Sequence, residues 1–490
     1  MKRLLVCALA VACGPSDVVP DDGGDDASSD VAIESGPTPD EQAAFDQLVQ
    51  FTDAELSKSH VPGASIAVVL HGKLAFAAGV GKRNLTSGDP VTTSTLFRAA
   101  SMSKMIVAAT AMTVVQEGKL DLDAPITTYL PWFTLEGGAD ASGVTTGRLL
   151  SHNSGFPCDT IGFCSGPTNG TRSSFFMGNP QPLWAPPGVV YDYSNAGFAL
   201  AATVIEAAEG SGDGSFEQLA HDRILVPVGM TTAVYDAKVA RAGDHATGYE
   251  LDASGKTTSV QEPTALDCPM LHPPGGVIAT ASDYAHFAEM LIANGGTVLA
   301  PSSVATMESP HVDMHTFGQK YDLALISQST PYPDHPIVWH DGSLPGFLSE
   351  MIVVPDLGVA IVALVNGNGP SYDPADQIAV DGLAQFISES FTPPTLKTPA
   401  GEWTGYAGTY DDDYGTLGKG VVVTLAGTTL SVNAPNATDY TGAPLPVSGP
   451  MTQVAIDTWE MPDGTGVTFF PDASGTPTYF VSRRGIAVRE

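Results

Sequence analysis

The sequence predicts an α+β domain over residues 41–392, followed by a small all-β domain over residues 403–490. Strand-like runs open and close the first segment, while helical patterns fill its middle. After the stretch FTPPTLKTPA, short alternating runs such as GVVVTLAGTTLSV and GVTFFPD are divided by Gly, Asp and Pro, as in a β-sandwich or barrel. Strands at both ends of one segment predict an antiparallel sheet built from the two ends and flanked by a helical region.

The first elements can be placed individually. Residues 42–60 carry apolar side chains at helical spacing, and ASIAVVLHGKLAFAAGVG reads as a hairpin that turns at His71–Lys73. Residues 101–117 read as a mostly apolar helix ending before Gly118, which predicts burial in the body of the domain. Residues 156–187 form a long loop rich in Pro, Gly and aromatic residues, and such loops are often functional.

The remaining elements complete the predicted domain. AGFALAATVIEAAEG and ASDYAHFAEMLIANGG have helical patterns. FLSEMIVVPDLGVAIVALVNG reads as a second hairpin, with its turn near Pro355–Gly358. This closing hairpin supplies the strands that we expect to pair with the opening ones.

Composition excludes some function classes. The chain has 490 residues, of which 43% are apolar and 15% charged, so it is globular rather than disordered. Its formal net charge of −33 repels phosphate backbones, which argues against nucleic-acid binding.

The N-terminus predicts export. Lys2 and Arg3 precede the apolar run LLVCALAVA, which is too short to span a bilayer, so residues 1–13 read as a signal peptide. AVAC places Cys13 after small residues and resembles the lipobox of bacterial lipoproteins, the alternative being an ordinary signal peptide cut nearby. Residues 14–40 are acidic and carry no Lys or Arg, which predicts a disordered tether. Contact with a membrane is expected only through a lipid anchor at Cys13.

The other cysteines suggest a bridge rather than a metal site. Cys158 and Cys164 are six residues apart in the long loop, and a disulfide between them fits an exported protein. Cys268 is then left over and is expected to be a buried free thiol. No cysteine or histidine spacing matches a zinc site, so no metal or cofactor is predicted.

The stretch LFRAASMSKMIVAAT poses the chemical question, because it places Lys104 three residues after Ser101. Residues at this spacing share one helix face, and a neutral lysine can activate a serine hydroxyl. The alternative is a solvated polar pair on a helix. The absence of Gly-x-Ser-x-Gly around Ser101 argues against an α/β-hydrolase.

Two further motifs decide between these interpretations. YDYSNAGFAL contains Tyr193-Ser194-Asn195, and VWHDGSLPGF contains His340-Asp341-Gly342. With the SMSK motif, they occur in the order found in the serine β-lactamase and penicillin-binding protein superfamily. Within it, the chain resembles the branch of class C β-lactamases, D-alanyl-D-alanine carboxypeptidases and family VIII esterases. LLSHNSGFP, PVGMT and PPGGVIATASDYAHF also resemble that family's landmarks, so the resemblance covers most of residues 42–390.

The resemblance implies a role for each matching residue. Ser101 is the expected nucleophile of an acyl-enzyme, and Lys104 takes its proton or holds a proton network beside it. Tyr193 is the expected general base in acylation and acid toward the leaving group, while Asn195 orients Lys104 and the substrate. Backbone N–H groups of Ser101 and Ser343 are the expected oxyanion donors, which in other enzymes are worth about 3–4 kcal/mol each.

The third motif departs from the penicillin-active pattern of Lys-Thr/Ser-Gly. His340 stands where the lysine is expected, and Asp341 replaces the hydroxyl residue. Those two groups hold the substrate carboxylate in penicillin-active relatives, whereas a histidine is mostly neutral at pH 7 and an aspartate repels an anion. We therefore expect esters, amides or peptides lacking that carboxylate to be better substrates than β-lactams or D-Ala-ending peptides. His340, Gly342 and Ser343 remain substrate-binding candidates.

Other features have two interpretations. Ser151-His152-Asn153 resembles a second motif of some relatives, but its position favours a structural role in which His152 bonds backbone. The aromatic residues of the long loop either line the substrate pocket or pack a surface loop; they are Phe156, Phe163, Phe175, Phe176 and Trp184. GYAGTY at Gly405–Tyr410 resembles the first strand of the β-barrel-like extensions of some family members.

Together these observations predict an exported serine hydrolase with a small-molecule or peptide substrate that carries a cleavable acyl group. A true β-lactamase or D,D-carboxypeptidase is the first alternative. A non-catalytic binder of cell-wall peptide on the same scaffold is the second. The sequence leaves the oligomeric state and the role of the C-terminal domain open.

Overall fold

The computed structural model describes residues 37–157, 170–252, 254–262, 267–315, 318–329, 332, 334–369, 373–387, 403–413, 416–438, 443–455, 457–472, 476–482 and 485–490. The predicted signal peptide, Cys13, most of the tether, Cys158, Phe163 and Cys164 lie outside these residues. No helix within the described ranges is long and apolar enough to cross a lipid bilayer. No group of three or more His, Cys, Asp or Glu side chains in the same ranges could hold a metal ion.

The secondary structure is numbered in chain order. The helices are α1 (Pro39–Ser59), α2 (Ser103–Gln116), α3 (Thr146–Leu150), α4 (Arg172–Gly178), α5 (Asn195–Glu209), α6 (Phe216–Ala220), α7 (Val226–Val228), α8 (Ala237–Ala242), α9 (His272–Gly275), α10 (Ala281–Ile292), α11 (Pro301–Met307) and α12 (Pro374–Ala384). The strands before the C-terminal domain are β1 (Gly63–Leu70), β2 (Lys73–Gly81), β3 (Phe97–Arg98), β4 (Gly248–Leu251), β5 (Thr257–Gln261), β6 (Ile278–Ala279), β7 (Val312–Asp313), β8 (Lys320–Tyr321), β9 (Ile326–Gln328), β10 (Ile337–Leu344), β11 (Phe347–Val354), β12 (Val359–Val365) and β13 (Gly367–Asn368). Those of the C-terminal domain are β14 (Gly408–Asp411), β15 (Val421–Ala426), β16 (Thr429–Ala434), β17 (Val447–Pro450), β18 (Thr452–Ala455), β19 (Thr458–Glu460), β20 (Gly466–Pro471), β21 (Pro477–Ser482) and β22 (Gly485–Arg489).

The central sheet joins the two ends of the first domain. Its strand order is β2-β1-β12-β11-β10-β9-β8-β7, and the strands pair antiparallel throughout. The opening strand β1 is buried along its whole length between β2 and β12, because α10 covers one face of the sheet while α1 and α12 cover the other. The predicted α+β architecture, with a sheet built from both ends of the segment, is confirmed.

Two local predictions differ from the structure in their limits. α1 begins at Pro39, three residues before the predicted start, because Thr38 and Glu41 form a capping box that satisfies the first N–H groups. The helix predicted over residues 101–117 consists of a 3₁₀ turn, Ala100–Met102, followed by α2. Twelve of the fourteen residues of α2 are buried, as its apolar composition predicted.

The C-terminal domain is a single antiparallel sheet in the order β17-β16-β15-β14-β22-β21-β20-β19-β18. Its two edge strands, β17 and β18, are separated in the chain by Met451 alone. The sheet therefore curls until its edges approach each other, which decides between the two predicted forms in favour of a barrel. Tyr410, Trp459 and Phe469 are among the side chains that fill it.

The barrel packs against the first domain at two places. Phe470, Val481 and Ile486 form an apolar cluster with Trp184 and Val190 of the long loop. The second contact involves the segment after β7. There the His315 ring lies 4.7 Å from the Phe470 ring, and Thr458 Oγ1 donates a hydrogen bond of 2.9 Å to the His315 carbonyl. The barrel thus supports the segment that leads to Tyr193.

The cysteine prediction was wrong in one respect. Cys268 is buried, as expected, but it is disulfide-bonded rather than a free thiol. The other four cysteines of the chain lie outside the described residues. The predicted Cys158–Cys164 pair falls on the same undescribed residues. The prediction for Cys268 failed because it rested on the spacing of cysteines along the chain. A disulfide joins residues that are close in space, whatever their separation in the chain.

Candidate active site

Ser101 lies in the 3₁₀ turn that leads into the N-terminus of α2. Ala100 precedes it with a φ of 49°, a left-handed conformation that non-glycine residues rarely adopt, and is fully buried. Lys104 reaches back along the helix, so that its Nζ lies 3.0 Å from Ser101 Oγ. The structure thus brings the serine and lysine of the SMSK motif into direct contact.

Oxygen atoms surround the amine of Lys104, which is fully buried. Nζ lies 2.7 Å from Asn195 Oδ1 and 2.9 Å from the Pro274 carbonyl, in addition to Ser101. An ammonium group can donate to all three oxygens. A neutral amine can keep the bonds to Asn195 and Pro274 while its lone pair faces the Ser101 hydroxyl. The same contacts therefore suit the lysine before and after it takes a proton, as a general base requires.

Tyr193 lies beside the lysine, with Lys104 Nζ 4.7 Å from the centre of its ring. The same ring also packs on His152, at 4.1 Å between ring centroids. His152 Nδ1 accepts a hydrogen bond of 2.9 Å from Ser194 N, and its carbonyl accepts one from Asp192 N. His152 therefore fixes the backbone on both sides of Tyr193, which confirms its predicted bonding to backbone.

His152 is neutral in this position. It is buried, and this burial, with the neighbouring Lys104 and His340 adding to its effect, holds the pKa of its imidazole well below the ordinary value. A neutral ring can accept the Ser194 N–H at Nδ1, which an imidazolium cannot do. The two neighbours of His152 in its motif also serve the local fold, since Ser151 Oγ donates to the Gly147 carbonyl and the Asn153 carbonyl accepts from Gly188 N.

The Tyr-Ser-Asn motif divides its work between three side chains at the start of α5. Ser194 caps the helix, because its Oγ accepts the Gly197 N–H. Asn195, the first helical residue, directs its amide oxygen at Lys104. The cap fixes the direction in which α5 begins, and this direction places Tyr193 and Asn195 on either side of the lysine amine.

His340 lies on β10 and is fully buried. Its Nδ1 lies 2.6 Å from the Asp341 carbonyl, and its Nε2 lies 2.9 Å from the Tyr321 hydroxyl. Burial raises the pKa of Tyr321 well above the ordinary value, so this phenol keeps its proton. A neutral His340 satisfies both contacts in one tautomer, in which Nδ1 donates to the carbonyl and Nε2 accepts from Tyr321. Both ring nitrogens are thus engaged by protein groups.

Gly342 lets β10 lie against the 3₁₀ turn that carries Ser101, called here the nucleophile turn. A Cβ at this position would lie 2.4 Å from the Ala99 carbonyl oxygen and 2.9 Å from Ser101 N, closer than any side chain tolerates. Its partner across the ladder, Ser349, donates through Oγ to the same Ala99 carbonyl at 2.8 Å. This close approach carries the backbone of Ser343, the next residue of β10, to the side of Ser101.

Asp341 points to the other face of the sheet. Successive side chains of a strand alternate, and the position of the missing Gly342 Cβ marks the face toward Ser101. Asp341 instead stands opposite Glu350 in the ladder with β11, and its side chain is 27% exposed. Strands β10 and β11 thus each place one acidic side chain on the face of the sheet opposite Ser101.

Comparison with known proteins identifies the family. The family model described as Beta-lactamase matches residues 42–385. The chain belongs to the Beta-lactamase family. Penicillin-binding protein 4 of Amycolatopsis lactamdurans is 30% identical over 389 residues, which make up 74% of this chain and 96% of that protein. Members of this superfamily are serine hydrolases, and the polar residues around Ser101 lie within the matched region.

Two other relatives match over part of their length. Unguisins hydrolase ungD' of Aspergillus campestris is 30% identical over 66% of this chain and 61% of its own length. Protein flp of Staphylococcus aureus is 25% identical over 68% of this chain and 64% of its own length. The chain therefore spans less than two thirds of each of these two proteins.

Solved structures of the family share the fold. SurE has a TM-score of 0.68 at 22% identity and covers 92% of this chain and 100% of its own. The octameric penicillin-binding protein homologue from Pyrococcus abyssi has a TM-score of 0.62 at 22% identity and covers 91% of this chain and 100% of its own. D-alanine carboxypeptidase AmpC from Burkholderia cenocepacia has a TM-score of 0.56 at 23% identity and covers 70% of this chain and 99% of its own. The first two extend beyond residues 42–385, so the shared fold continues toward the C-terminal barrel.

The aromatic residues of the long loop contribute to packing. Phe156 and Phe176 are buried in the main core, and Phe175 packs against its edge. Trp184 is buried in the contact with the C-terminal barrel. Of the two interpretations offered by the sequence, these four described residues favour a packed loop over a pocket lining.

Several residues of the site had no signal in the sequence. Tyr321 contacts His340 from β8, and Pro274 supplies a backbone carbonyl that any residue at that position could supply. Tyr321 belongs to no motif, because a partner in another element is set by packing rather than by spacing. The motif PPGGVIATASDYAHF, which includes Pro274, was the one signal that pointed to this segment.

Proposed function

We propose that the protein hydrolyses its substrate through an acyl-enzyme at Ser101. The contact of 3.0 Å between Lys104 Nζ and Ser101 Oγ, in a pocket that suits the lysine with or without its proton, is the observation that carries this proposal. Ser101 Oγ attacks the acyl carbonyl as Lys104 takes the hydroxyl proton. The proton then passes to the leaving group, with Tyr193 as the transferring acid. Water attacks the ester in the second half-reaction and regenerates the serine hydroxyl.

The backbone N–H groups of Ser101 and Ser343 stabilise the oxyanion in this mechanism. Gly342 supports the assignment, because the close approach that it permits brings β10 beside the Ser101 amide. Oxyanion donors act through their position before the charge develops, so a backbone fixed by a strand and by a helical turn is well suited. In this proposal the substrate lies between the two amides.

The proposed substrates are esters, amides or peptides without a carboxylate next to the scissile bond. Both nitrogens of His340 are engaged by Tyr321 and the Asp341 carbonyl, so this ring does not replace the missing lysine as an anion holder. Asp341 stands where penicillin-active relatives have a hydroxyl residue, but it points to the face of the sheet opposite Ser101 and supplies no hydroxyl to the substrate. The alternative is a true β-lactamase or D,D-carboxypeptidase, which the name of the relative penicillin-binding protein 4 supports.

Labelling by a fluorophosphonate tests the acyl-enzyme. The wild type is expected to gain the mass of the phosphonyl group on the peptide that contains Ser101, and Ser101→Ala is expected to gain none. Ser302→Ala, on the exposed side of α11, is the matched control and should label like the wild type. If the wild type is not labelled and cleaves no ester or amide, a non-catalytic binder becomes the better description.

A substrate comparison tests the class. The ratio of kcat/KM for p-nitrophenyl butyrate to that for nitrocefin is expected to exceed about 30, because an anion holder lost from a site typically costs about 2–3 kcal/mol. Comparable hydrolysis of both compounds by the wild type would favour the β-lactamase alternative.

Export with a lipid anchor at Cys13 is a separate proposal that rests on the N-terminal sequence alone. Cells that express the full chain should incorporate radiolabelled palmitate into the wild type. Cys13→Ser should incorporate none. Incorporation that survives Cys13→Ser, or a mature protein that starts elsewhere, would contradict the lipid anchor.

A further inference from the structure

A buried cluster of charged side chains lies next to the lysine pocket. Arg172 of α4 is 1% exposed and forms ion pairs with Glu206 of α5 and Glu217 of α6, the latter at 3.0 Å. Its Nη1 also donates to the Pro269 carbonyl at 3.1 Å. The cluster therefore ties three helices to the segment that precedes α9. Ion pairs this well buried require good geometry, because each charge has lost its water.

His272, the first residue of α9, completes the cluster. Its Nδ1 lies 2.8 Å from Glu217 Oε1, and its Nε2 lies 2.8 Å from Asp267 Oδ1. A carboxylate at each ring nitrogen requires a proton on both, so the ring is an imidazolium. Burial alone would lower the pKa of His272, but the hydrogen bonds and charges of Asp267 and Glu217 outweigh it and raise that pKa to about 9.

Other charged and titratable groups also face this ring. Arg172 lies behind Glu217, and Arg98 on β3 acts on Asp267. The Tyr235 ring lies 6.2 Å from the imidazole, and burial raises the pKa of its phenol, which therefore stays protonated. Burial would raise the pKa of Glu217, but the hydrogen bond from His272 and the charge of Arg172 lower it to about 2. Both carboxylates are thus ionised near pH 7, where His272 also carries its charge.

A short segment connects this cluster to the nucleophile. Pro274, two residues after His272, supplies the carbonyl that accepts from Lys104 Nζ. Val277 N donates to Ser103 Oγ at 3.0 Å, and its carbonyl accepts from Ala99 N at 2.9 Å. α9 itself is a single turn of four residues, and its own hydrogen bonds are too few to fix it. The ion pairs at its first residue hold it in place.

We propose that His272, clamped between Asp267 and Glu217, is a positioning residue that holds the Pro274 carbonyl against Lys104. This inference rests on the proposed function, in which Lys104 takes the proton of Ser101. Loss of the imidazolium charge releases the start of α9, and the carbonyl moves away from the amine. A displacement of about 1 Å at a reacting group can cost about 100-fold in rate. Binding of the substrate itself is not affected.

The test uses His272→Gln, which keeps a hydrogen-bonding side chain and removes the charge. At pH 7 its kcat for p-nitrophenyl butyrate is expected to fall about tenfold with an unchanged KM, and its rate of fluorophosphonate labelling to fall by the same factor. The wild-type labelling rate should decline as the pH rises through about 9. The variant should lack that decline. His272→Arg, which bridges two carboxylates with a permanent charge, should restore activity and keep it above pH 9.

The matched control is His286→Gln on α10. His286 Nδ1 lies 3.6 Å from Glu289 Oε2, and this pair does not involve α9. This change also removes a histidine–carboxylate pair and should leave kcat and the pH profile unchanged. If the wild type is labelled and His272→Gln keeps the wild-type kcat, labelling rate and pH profile, this inference is overturned and the proposed function stays intact. Absence of labelling in the wild type at every pH would overturn both. If His272→Gln does not fold, His272→Arg is tested in its place. Activity of His272→Arg that declines above pH 9 as in the wild type would then overturn the inference.

Discussion

Two buried polar centres flank Ser101, and they use their nitrogen atoms in opposite ways. Lys104 lies among oxygen atoms from Ser101, Asn195 and Pro274, all of which can accept a hydrogen bond. His340 lies between a carbonyl, which can only accept, and the protonated Tyr321 hydroxyl, which can donate. Both side chains are fully buried. The lysine contacts leave Nζ directed at Ser101 Oγ, whereas both ring nitrogens of His340 are engaged by protein groups of the sheet.

The difference indicates how a motif position changes its role. The position of His340 holds a cation for the substrate in the penicillin-active pattern that the sequence resembles. Here the imidazole cross-links β10 to β8, which fixes the strand that carries Gly342. Burial therefore does not distinguish a reactive group from a structural one. The donors and acceptors around the group make that distinction.

Removal of the lysine amine should have the largest effect. Lys104→Met keeps the length and apolar stem of the side chain but removes the amine that contacts Ser101 Oγ. We expect kcat/KM for p-nitrophenyl butyrate to fall about 10³-fold, within the range measured for general bases. Lys119→Met removes a half-exposed lysine that pairs with Glu209 and should keep full activity. A Lys104→Met protein with more than about a tenth of wild-type activity would show that the lysine is not the base.

Gly342→Ala should break the alignment of the strand with the nucleophile turn. The new Cβ would meet backbone atoms of Ala99 and Ser101, which cannot move aside as a flexible side chain can. We expect a fall of about 100-fold in kcat, measured with the same ester. Gly212→Ala is the control, because a Cβ there meets nothing within 4 Å. Equal activities of the two variants would mean that β10 does not position the oxyanion donors.

Tyr321→Phe tests the structural role of His340. It removes the hydroxyl at Nε2 and leaves a buried acceptor unpaired, which costs about 1–3 kcal/mol of unfolding free energy. We expect kcat to fall about tenfold as β10 loosens, measured beside urea unfolding. Tyr129→Phe also loses one hydrogen bond, from Asp121 N, and should lose stability without losing kcat. Unchanged stability and activity in Tyr321→Phe would contradict the cross-link.

Asp322, the residue after Tyr321, should show the smallest effect, on stability alone. Burial and the nearby Glu308 raise the pKa of its carboxyl to about 8, although the Ser327 hydroxyl bonds it. The folded state thus disfavours the charged form, and stability falls as the pH rises from about 4 to about 8. Asp322→Asn removes this penalty, so its melting temperature should exceed that of the wild type by a few degrees at pH 8 and match it near pH 4.

The control for this change is Asp313→Asn on the neighbouring strand β7. Burial would raise the pKa of Asp313, but the hydrogen bond from Lys320 outweighs it and lowers that pKa. Its charge therefore stabilises the fold above the unfolded pKa, and the asparagine variant should melt lower at pH 8. A melting temperature of Asp322→Asn below that of the wild type at pH 8 would contradict the raised pKa of Asp322.

The features that the sequence predicted are mostly local. The hairpin at His71, the burial of α2 and the spacing of Ser101 and Lys104 all depend on residues close together in the chain. The strands at both ends of the first segment predicted its sheet, because each strand must find a partner. The order of the motifs and landmarks carried the resemblance to the family. The start of α1 was misplaced by three residues, since the capping box of Thr38 and Glu41 outweighed the apolar pattern.

The sequence by itself determined the α+β architecture and the contact between Ser101 and Lys104, because helix and strand periodicities fix which neighbours share a face. The family, and with it Tyr193 and Asn195, followed from the resemblance of the ordered motifs. Only the tertiary structure decided that His340 is locked to Tyr321, that the Pro274 carbonyl completes the lysine pocket, that Cys268 is disulfide-bonded and that the C-terminal sheet closes toward a barrel. Each of these depends on segments far apart in the chain. Their contacts follow from how the elements pack, which residue spacing does not encode.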